Sequence, residues 1–192
     1  TVRRYGLAKA PKTAREYKQI YNERLLHPVR QRLAQMGETG DLAARDMLMI
    51  AGVRGLLQGL YDRGVTLYLA SGTDHVYILE EAAALGVSEL FGEHIYGAKD
   101  DPGATTKAQI IQRILEDHEL VGEELLVVGD GPVEIRHAKA RQAVTLGIAA
   151  DEEQRQGLAP RKRERLLDAG ADFIVTDFLQ HKTILRYFVG NQ

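Results

Sequence analysis

One short polar segment follows an apolar run at a position where a parallel sheet would bind a ligand. Ser71, Gly72 and Thr73 come directly after the apolar residues 65–70, and ligands of open α/β sheets bind beyond the carboxyl ends of the strands. A hydroxyl followed by glycine at the amino terminus of a helix can hold a phosphate oxygen. These three residues are therefore candidate phosphate-binding residues, and the alternative interpretation is a plain helix cap.

A second polar segment, residues 129–134, follows the apolar run 125–128. It partly matches a dinucleotide-binding fingerprint, but Glu134 stands where the third glycine would be and would repel a pyrophosphate. Asp130 at the strand end and Glu134 one turn into the next helix can instead converge on Mg²⁺, which prefers a few carboxylates and water. The alternative is that Glu134 only caps a helix that begins at Pro132.

Lys107 is the third candidate. Thr105 or Thr106 is a natural cap for the helix that follows, so the lysine falls in its first turn. The helix dipole disfavours a cation there by about 0.3–1 kcal/mol, so we expect an anionic partner, either a phosphate or carboxylates at neighbouring strand ends. A solvent-facing lysine is the alternative.

Composition excludes several classes of protein. The 192 residues include no cysteine, 44% are apolar, and 25 basic against 27 acidic side chains give a net charge of −2. No disulfide framework or thiolate metal site is possible, and no overall field attracts nucleic acid or an anionic membrane. The basic cluster Arg161-Lys162-Arg163 is interpreted as the solvated face of a helix. We expect a soluble, cytoplasmic protein.

Helices and strands must position the candidate residues. The pattern of apolar residues predicts that the chain has two structural parts. Residues 1–48 predict a small helical module, beginning with capping-box spacing from Thr13 to Glu16. Residues 49–192 predict alternating helices and strands that are apolar on both faces, which is typical of a parallel sheet covered by helices. The predicted fold is a Rossmann-like three-layer α/β domain. The predicted strands are residues 65–70, 94–96, 125–128, 144–148 and 173–175; the predicted helices between them are 74–85, 106–117, 133–141 and 161–169, preceded by an apolar helical stripe over 53–61.

Together these motifs resemble the haloacid dehalogenase superfamily, in the right order over roughly residues 49–180. The resemblance implies that Ser71 binds the transferring phosphoryl group, that Lys107 neutralises it, and that Asp130 with Glu134 holds Mg²⁺. It also implies that residues 1–48 form part of the small cap of this family. The implied activity is a Mg²⁺-dependent phosphatase that acts on a small phosphorylated metabolite through an aspartyl-phosphate. We expect a monomer or homodimer.

The first motif of that superfamily, Asp-x-Asp-x-Thr at the end of the first strand, has no counterpart in the sequence. We expect the strand and its nucleophile to lie upstream of these 192 residues, which alone should have no turnover. Without that strand, the predicted strands 65–70 and 125–128 should each present an unpaired edge. The alternatives are a strand borrowed from a partner and a non-catalytic module that binds phosphate and metal in a regulatory role.

Overall fold

The computed structural model describes residues 42–98 and 106–190, together with residues 12, 13, 16, 17, 20, 23, 24 and 31. The chain divides into two compact units, Thr1–Asp41 and Leu42–Gln192. In the first unit the capping box is confirmed, since Thr13 N donates to Glu16 Oε2 (2.6 Å) and Glu16 N donates to Thr13 Oγ1 (3.2 Å). Most of the predicted module 1–48 lies outside the described residues, and its role as a cap stays a prediction.

The second unit alternates helices with short strands, as the apolar pattern predicts. In chain order the elements are α1 (Leu42–Asp46), α2 (Val53–Tyr61), β1 (Leu69–Asp74), α3 (His75–Leu85), α4 (Ser88–Phe91), β2 (Ile95–Ala98), α5 (Lys107–Asp117), a 3₁₀ turn (Gly122–Glu124), β3 (Leu126–Gly129), α6 (Pro132–Lys139), β4 (Val144–Ile148), α7 (Pro160–Asp168), β5 (Phe173–Val175) and α8 (His181–Val189). None of the helices described is long and apolar enough to cross a membrane.

The strands form two parallel sheets. One has the order β1-β2 and the other β3-β4-β5, with Leu69 opposite Ile95 and Leu126 opposite Val144. Within residues 42–98 and 106–190, β1 pairs only with β2 and β3 only with β4. The parallel pairing is confirmed, whereas the strand expected between β1 and β3 stays a prediction.

Helices cover both faces of the three-stranded sheet. On one face Leu146 of β4 packs with Leu56 of α2 and Leu185 of α8. On the other face Ile135 of α6 and Leu166 of α7 form a second buried cluster. β4 is buried along its middle, which explains its nearly continuous run of apolar and small residues. The three-layer α/β fold is therefore confirmed.

A hydrogen-bonded network ties β4 to β5 at their amino-terminal ends. The Asp172 carboxylate accepts from Thr145 N (2.9 Å), Thr145 Oγ1 (2.8 Å) and Lys139 Nζ (2.7 Å), and Thr145 is fully buried. Burial would raise the pKa of Asp172, but the hydrogen bonds from Lys139 and Thr145 outweigh it and hold the pKa below its ordinary value. The ionised form of Asp172 therefore stabilises the fold.

Three elements differ from the sequence prediction. The strand predicted at 65–70 is wrong in its bounds, because the ladder with β2 starts at Leu69 and closes again at Asp74 after an irregularity. The helices α4 and α8 were not predicted at all. The helix α4 has only four residues, which are too few to show a helical period of apolar residues.

Candidate active site

The turn between β3 and α6 holds the two acidic candidates. Pro132 is the first residue of α6, and the Glu134 side chain folds back so that Oε1 accepts from Gly131 N (3.1 Å). A Cβ at Gly129 would lie 2.6 Å from Glu134 Cγ, and one at Gly131 would lie 2.8 Å from Glu134 Oε2. The two glycines therefore leave the space that the carboxylate occupies, and Glu134 caps the helix.

Lys107 reaches this turn from a different helix. It is the first residue of α5, behind the N-cap Thr106, whose Oγ1 accepts from Gln109 N. Lys107 Nζ lies 3.4 Å from Glu134 Oε1, with side chains 33% and 12% exposed. The prediction that this lysine stands in a first turn and needs an anionic partner is confirmed, and in this structure the partner is a carboxylate. Because α5 packs against both β1 and α6, it links the two sheets.

Asp130 has a partner that sequence reasoning missed. Lys162 Nζ lies 3.3 Å from Asp130 Oδ2 and 3.0 Å from Glu152 Oε1. Its side chain is only 15% exposed, whereas Asp130 is 63% exposed. Partial burial would lower the pKa of Lys162, but Glu152 and Asp130 outweigh this effect and raise it. The lysine therefore stays charged beside Asp130.

The solvated-face interpretation of Arg161-Lys162-Arg163 is thus right for the two arginines, which are exposed, and wrong for Lys162. Its pairing depends on α7 lying against α6, which no local pattern reveals. A signal was nevertheless present. The first turn of α7 contains no acidic residue, and a cation at that end of a helix opposes the dipole, which is the argument that singled out Lys107.

The segment Ser71, Gly72 and Thr73 does not open a helix as expected. It lies within β1, in the irregular stretch between Ala70 and Asp74, and α3 begins only at His75. Ser71 Oγ accepts from Thr73 N (3.1 Å), so the hydroxyl closes a local turn. No hydrogen bond or ion pair within the described ranges joins Ser71 to the β3–α6 turn, so its phosphate-binding role stays a prediction.

Comparison with known proteins identifies the family. The family model of haloacid dehalogenase-like hydrolases matches residues 5–140, a span that contains Lys107 and the β3–α6 turn. The chain belongs to this family. A curated relative, a 5'-nucleotidase from Pseudomonas aeruginosa, is 30% identical over 97 residues. The aligned region covers 50% of this chain and 43% of that protein, so the chain spans less than half the length of the relative.

Solved structures of the haloacid dehalogenase-like family share this fold. A conserved family protein of unknown function from Agrobacterium tumefaciens superposes with a TM-score of 0.64 at 21% identity, covering 95% of this chain and 73% of that one. A family hydrolase from Deinococcus radiodurans, solved with bound phosphate and sodium, gives a TM-score of 0.59 at 21% identity, covering 76% and 63%. At these identities the likeness concerns the fold alone.

The family resemblance implies a Mg²⁺ ion, and the side chains near the β3–α6 turn can be compared with the ligands that this ion prefers. The ranges 42–98 and 106–190 hold no group of three His, Cys, Asp or Glu side chains that could bind a metal ion. Two carboxylates still suit Mg²⁺, which is commonly held by one or two of them together with water and substrate phosphate. Asp130 is exposed at the strand end, and Glu134 is engaged by Gly131 and Lys107. The two carboxylates are therefore compatible with Mg²⁺, and in this structure Asp130 contacts Lys162 while Glu134 contacts Lys107.

Proposed function

We propose that this chain is part of a Mg²⁺-dependent phosphatase that hydrolyses a small phosphorylated metabolite. The observation that carries the proposal is the contact between Lys107 and Glu134 at the β3–α6 turn, which brings a lysine and the acidic turn together at one edge of the fold. Membership in a hydrolase family supports it. The 5'-nucleotidase relative makes nucleoside 5'-monophosphates the first substrates to test.

The proposed reaction transfers a phosphoryl group twice. A carboxylate oxygen attacks phosphorus, the bond to the ester oxygen breaks, and the leaving oxygen takes a proton from solvent to depart as the alcohol. Water then attacks the acyl phosphate, which restores the carboxylate, returns a proton to solvent and releases inorganic phosphate. Lys107 would neutralise the transferring group and hold it in line with the attacking carboxylate, since both are anionic. Ser71, Gly72 and Thr73 would bind its oxygens. Mg²⁺ bound at Asp130, with Glu134 as the second carboxylate, would offset negative charge on the phosphate.

The nucleophile is the part of the proposal that these residues do not supply, since no Asp-x-Asp occurs in the sequence. We propose that a preceding strand carries it and pairs with β1 and β3, each of which has an unpaired edge within residues 42–98 and 106–190. We further propose a cytoplasmic monomer or homodimer. The intact mass of the purified protein, compared with the mass calculated for the 192 residues, shows first whether further residues are present.

The test is phosphate release by the full-length protein from nucleoside 5'-monophosphates and sugar phosphates, with and without Mg²⁺. We expect turnover that needs Mg²⁺ and falls at least about 100-fold in Lys107→Met, as on removal of a group that stabilises transition-state charge. Lys182→Met, an exposed lysine of α8, is the matched control and should keep full activity. No release from any substrate would refute the phosphatase proposal.

A second candidate is a non-catalytic module that binds phosphate and a divalent cation. The missing Asp-x-Asp favours it. This candidate predicts that inorganic phosphate and Mg²⁺ bind with measurable heat while no substrate turns over. An upstream reading frame that encodes an apolar strand followed by Asp-x-Asp would exclude it.

A further inference from the structure

Two helices each carry a lysine in their first turn, and both lysines contact acidic residues of the β3–α6 turn. Lys107 opens α5 and contacts Glu134, while Lys162 stands in the first turn of α7 and contacts Asp130. Neither first turn contains an acidic residue, so both lysines oppose the helix dipole. Such placement is unfavourable unless each lysine faces an anion, and the structure supplies Glu134 to Lys107 and both Asp130 and Glu152 to Lys162.

Lys162 is more buried than either of its partners. Its helix packs on the sheet through Leu166, which is completely buried, and its own side chain is mostly buried. Asp130 and Glu152 are both exposed. The ammonium group lies within 3.3 Å of Asp130 Oδ2 and 3.0 Å of Glu152 Oε1. A small movement of its flexible stem favours one acceptor over the other.

We infer that Lys162 is a counter-cation for Asp130, which it releases toward Glu152 when a divalent cation binds, so that this lysine sets the metal affinity of the site. The inference rests on the proposed function, which makes Asp130 a metal ligand. An ammonium and a divalent cation on one carboxylate repel each other. Binding of the metal ion therefore weakens the contact between Lys162 and Asp130, and Glu152 is an acceptor that Lys162 already reaches.

The charges predict whether each substitution raises or lowers the affinity for the divalent cation. Lys162→Met removes the competing cation, so the divalent ion should bind more tightly, by about fivefold for a partly screened contact. Lys162→Arg keeps the charge and should keep the affinity near that of the unaltered protein. Glu152→Gln removes the acceptor for the displaced ammonium and should weaken binding by about two- to fivefold. Arg163→Met, an exposed cation of the same first turn, should leave binding unchanged.

The experiment is a titration of the full-length protein with Mn²⁺, in which free Mn²⁺ is read from its electron paramagnetic resonance signal and Mg²⁺ competes for the site. Circular dichroism and thermal unfolding establish that each variant is folded. Tighter binding in Lys162→Met, with unchanged binding in Lys162→Arg, supports the inference. Equal or weaker binding in a folded Lys162→Met overturns it. If that variant fails to fold, Glu152→Gln decides, since unchanged or tighter binding overturns the inference and weaker binding supports it.

Asp130→Asn separates the inference from the proposed function. If Asp130→Asn loses Mn²⁺ binding, the assignment of Asp130 as a metal ligand stands. An unchanged dissociation constant in Lys162→Met then refutes only the proposed role of Lys162. Unchanged Mn²⁺ binding in Asp130→Asn refutes the proposed metal ligand, and with it the basis of the inference.

Discussion

Glu134 has two possible roles, as a helix cap and as a ligand to a cation, and two substitutions separate them. Glu134→Gln keeps an oxygen that can accept from Gly131 N but removes the negative charge. Glu134→Ala removes both. The cap depends only on the acceptor, whereas attraction for Lys107 and for a metal ion depends on the charge. The glutamine variant should therefore keep most of the stability and lose most of the cation binding.

The contacts give the size of each effect. The bond from Gly131 N to Glu134 Oε1, at 3.1 Å, contributes about 1 kcal/mol, as is typical of a helix cap. The Lys107 contact is 3.4 Å long and its lysine is one third exposed, so after screening it contributes about 0.5 kcal/mol. Glu134→Ala should thus lower the free energy of unfolding by about 1.5 kcal/mol, or the Tm by about 3–6 °C. Glu134→Gln should lower it by about 0.5 kcal/mol.

Urea unfolding followed by far-ultraviolet circular dichroism is the assay, because the sequence contains no tryptophan. Glu124 is the matched control: its Oε2 accepts from Val121 N at 2.9 Å in the 3₁₀ turn, and the side chain is exposed. Glu124→Ala should cost about 1 kcal/mol and Glu124→Gln almost nothing. If Glu134→Gln destabilises the protein as much as Glu134→Ala, the cap argument is refuted. Unchanged Mn²⁺ affinity in Glu134→Gln would show that Glu134 only caps.

The remaining predictions concern the fold that carries the site. The lowered pKa of Asp172 means that its contribution is fully present above the unfolded value of about 3.9 and is lost as the pH falls through the folded pKa. Asp172→Asn should therefore flatten the dependence of urea midpoints on pH between about 5 and 3 and cost about 1–3 kcal/mol at pH 7, because Thr145 loses a charged acceptor; an unchanged slope would contradict this. Gly52→Ala should cost well over 1 kcal/mol, since φ is +78° and a Cβ would lie 2.3 Å from the Phe178 carbonyl. Gly64→Ala, at φ +73° with open space around it, should show only the strain of about 1–2 kcal/mol, and equal losses in thermal unfolding would refute the clash.

Local signals predicted the bounds of several elements. The strands β4 and β5 have the predicted bounds, because both are mostly apolar runs of strand length. The start of α5 was equally readable, since Thr106 forms a capping box with Gln109. Lys107 follows from that cap, and so does its need for an anion.

Tertiary relations explain what the sequence did not reveal. The start of β1 depends on where β2 offers hydrogen-bonding partners. The first residue of β1 with such a partner is Leu69, which lies opposite Ile95 of β2. The irregular stretch that holds Ser71 depends on the same pairing. Lys162 and Asp130 are 32 positions apart, and they meet only because α7 packs against α6. Composition shows that both charges exist, but not that they face each other.

The two lysines of this site connect its stability to its chemistry. Each stands in a helix first turn at a cost of about 0.3–1 kcal/mol, and each offsets that cost by contacting a carboxylate of the β3–α6 turn. Binding of a divalent cation at Asp130 and of a phosphate near Lys107 would exchange these partners, so that Lys107 gains the phosphate and Lys162 retains Glu152. The protein would then exchange one set of ion pairs for another and leave no lysine without an anion. Loss of both ligands should therefore remove only the stabilisation that their binding contributes, because the carboxylates then resume the contacts that the ligands had replaced.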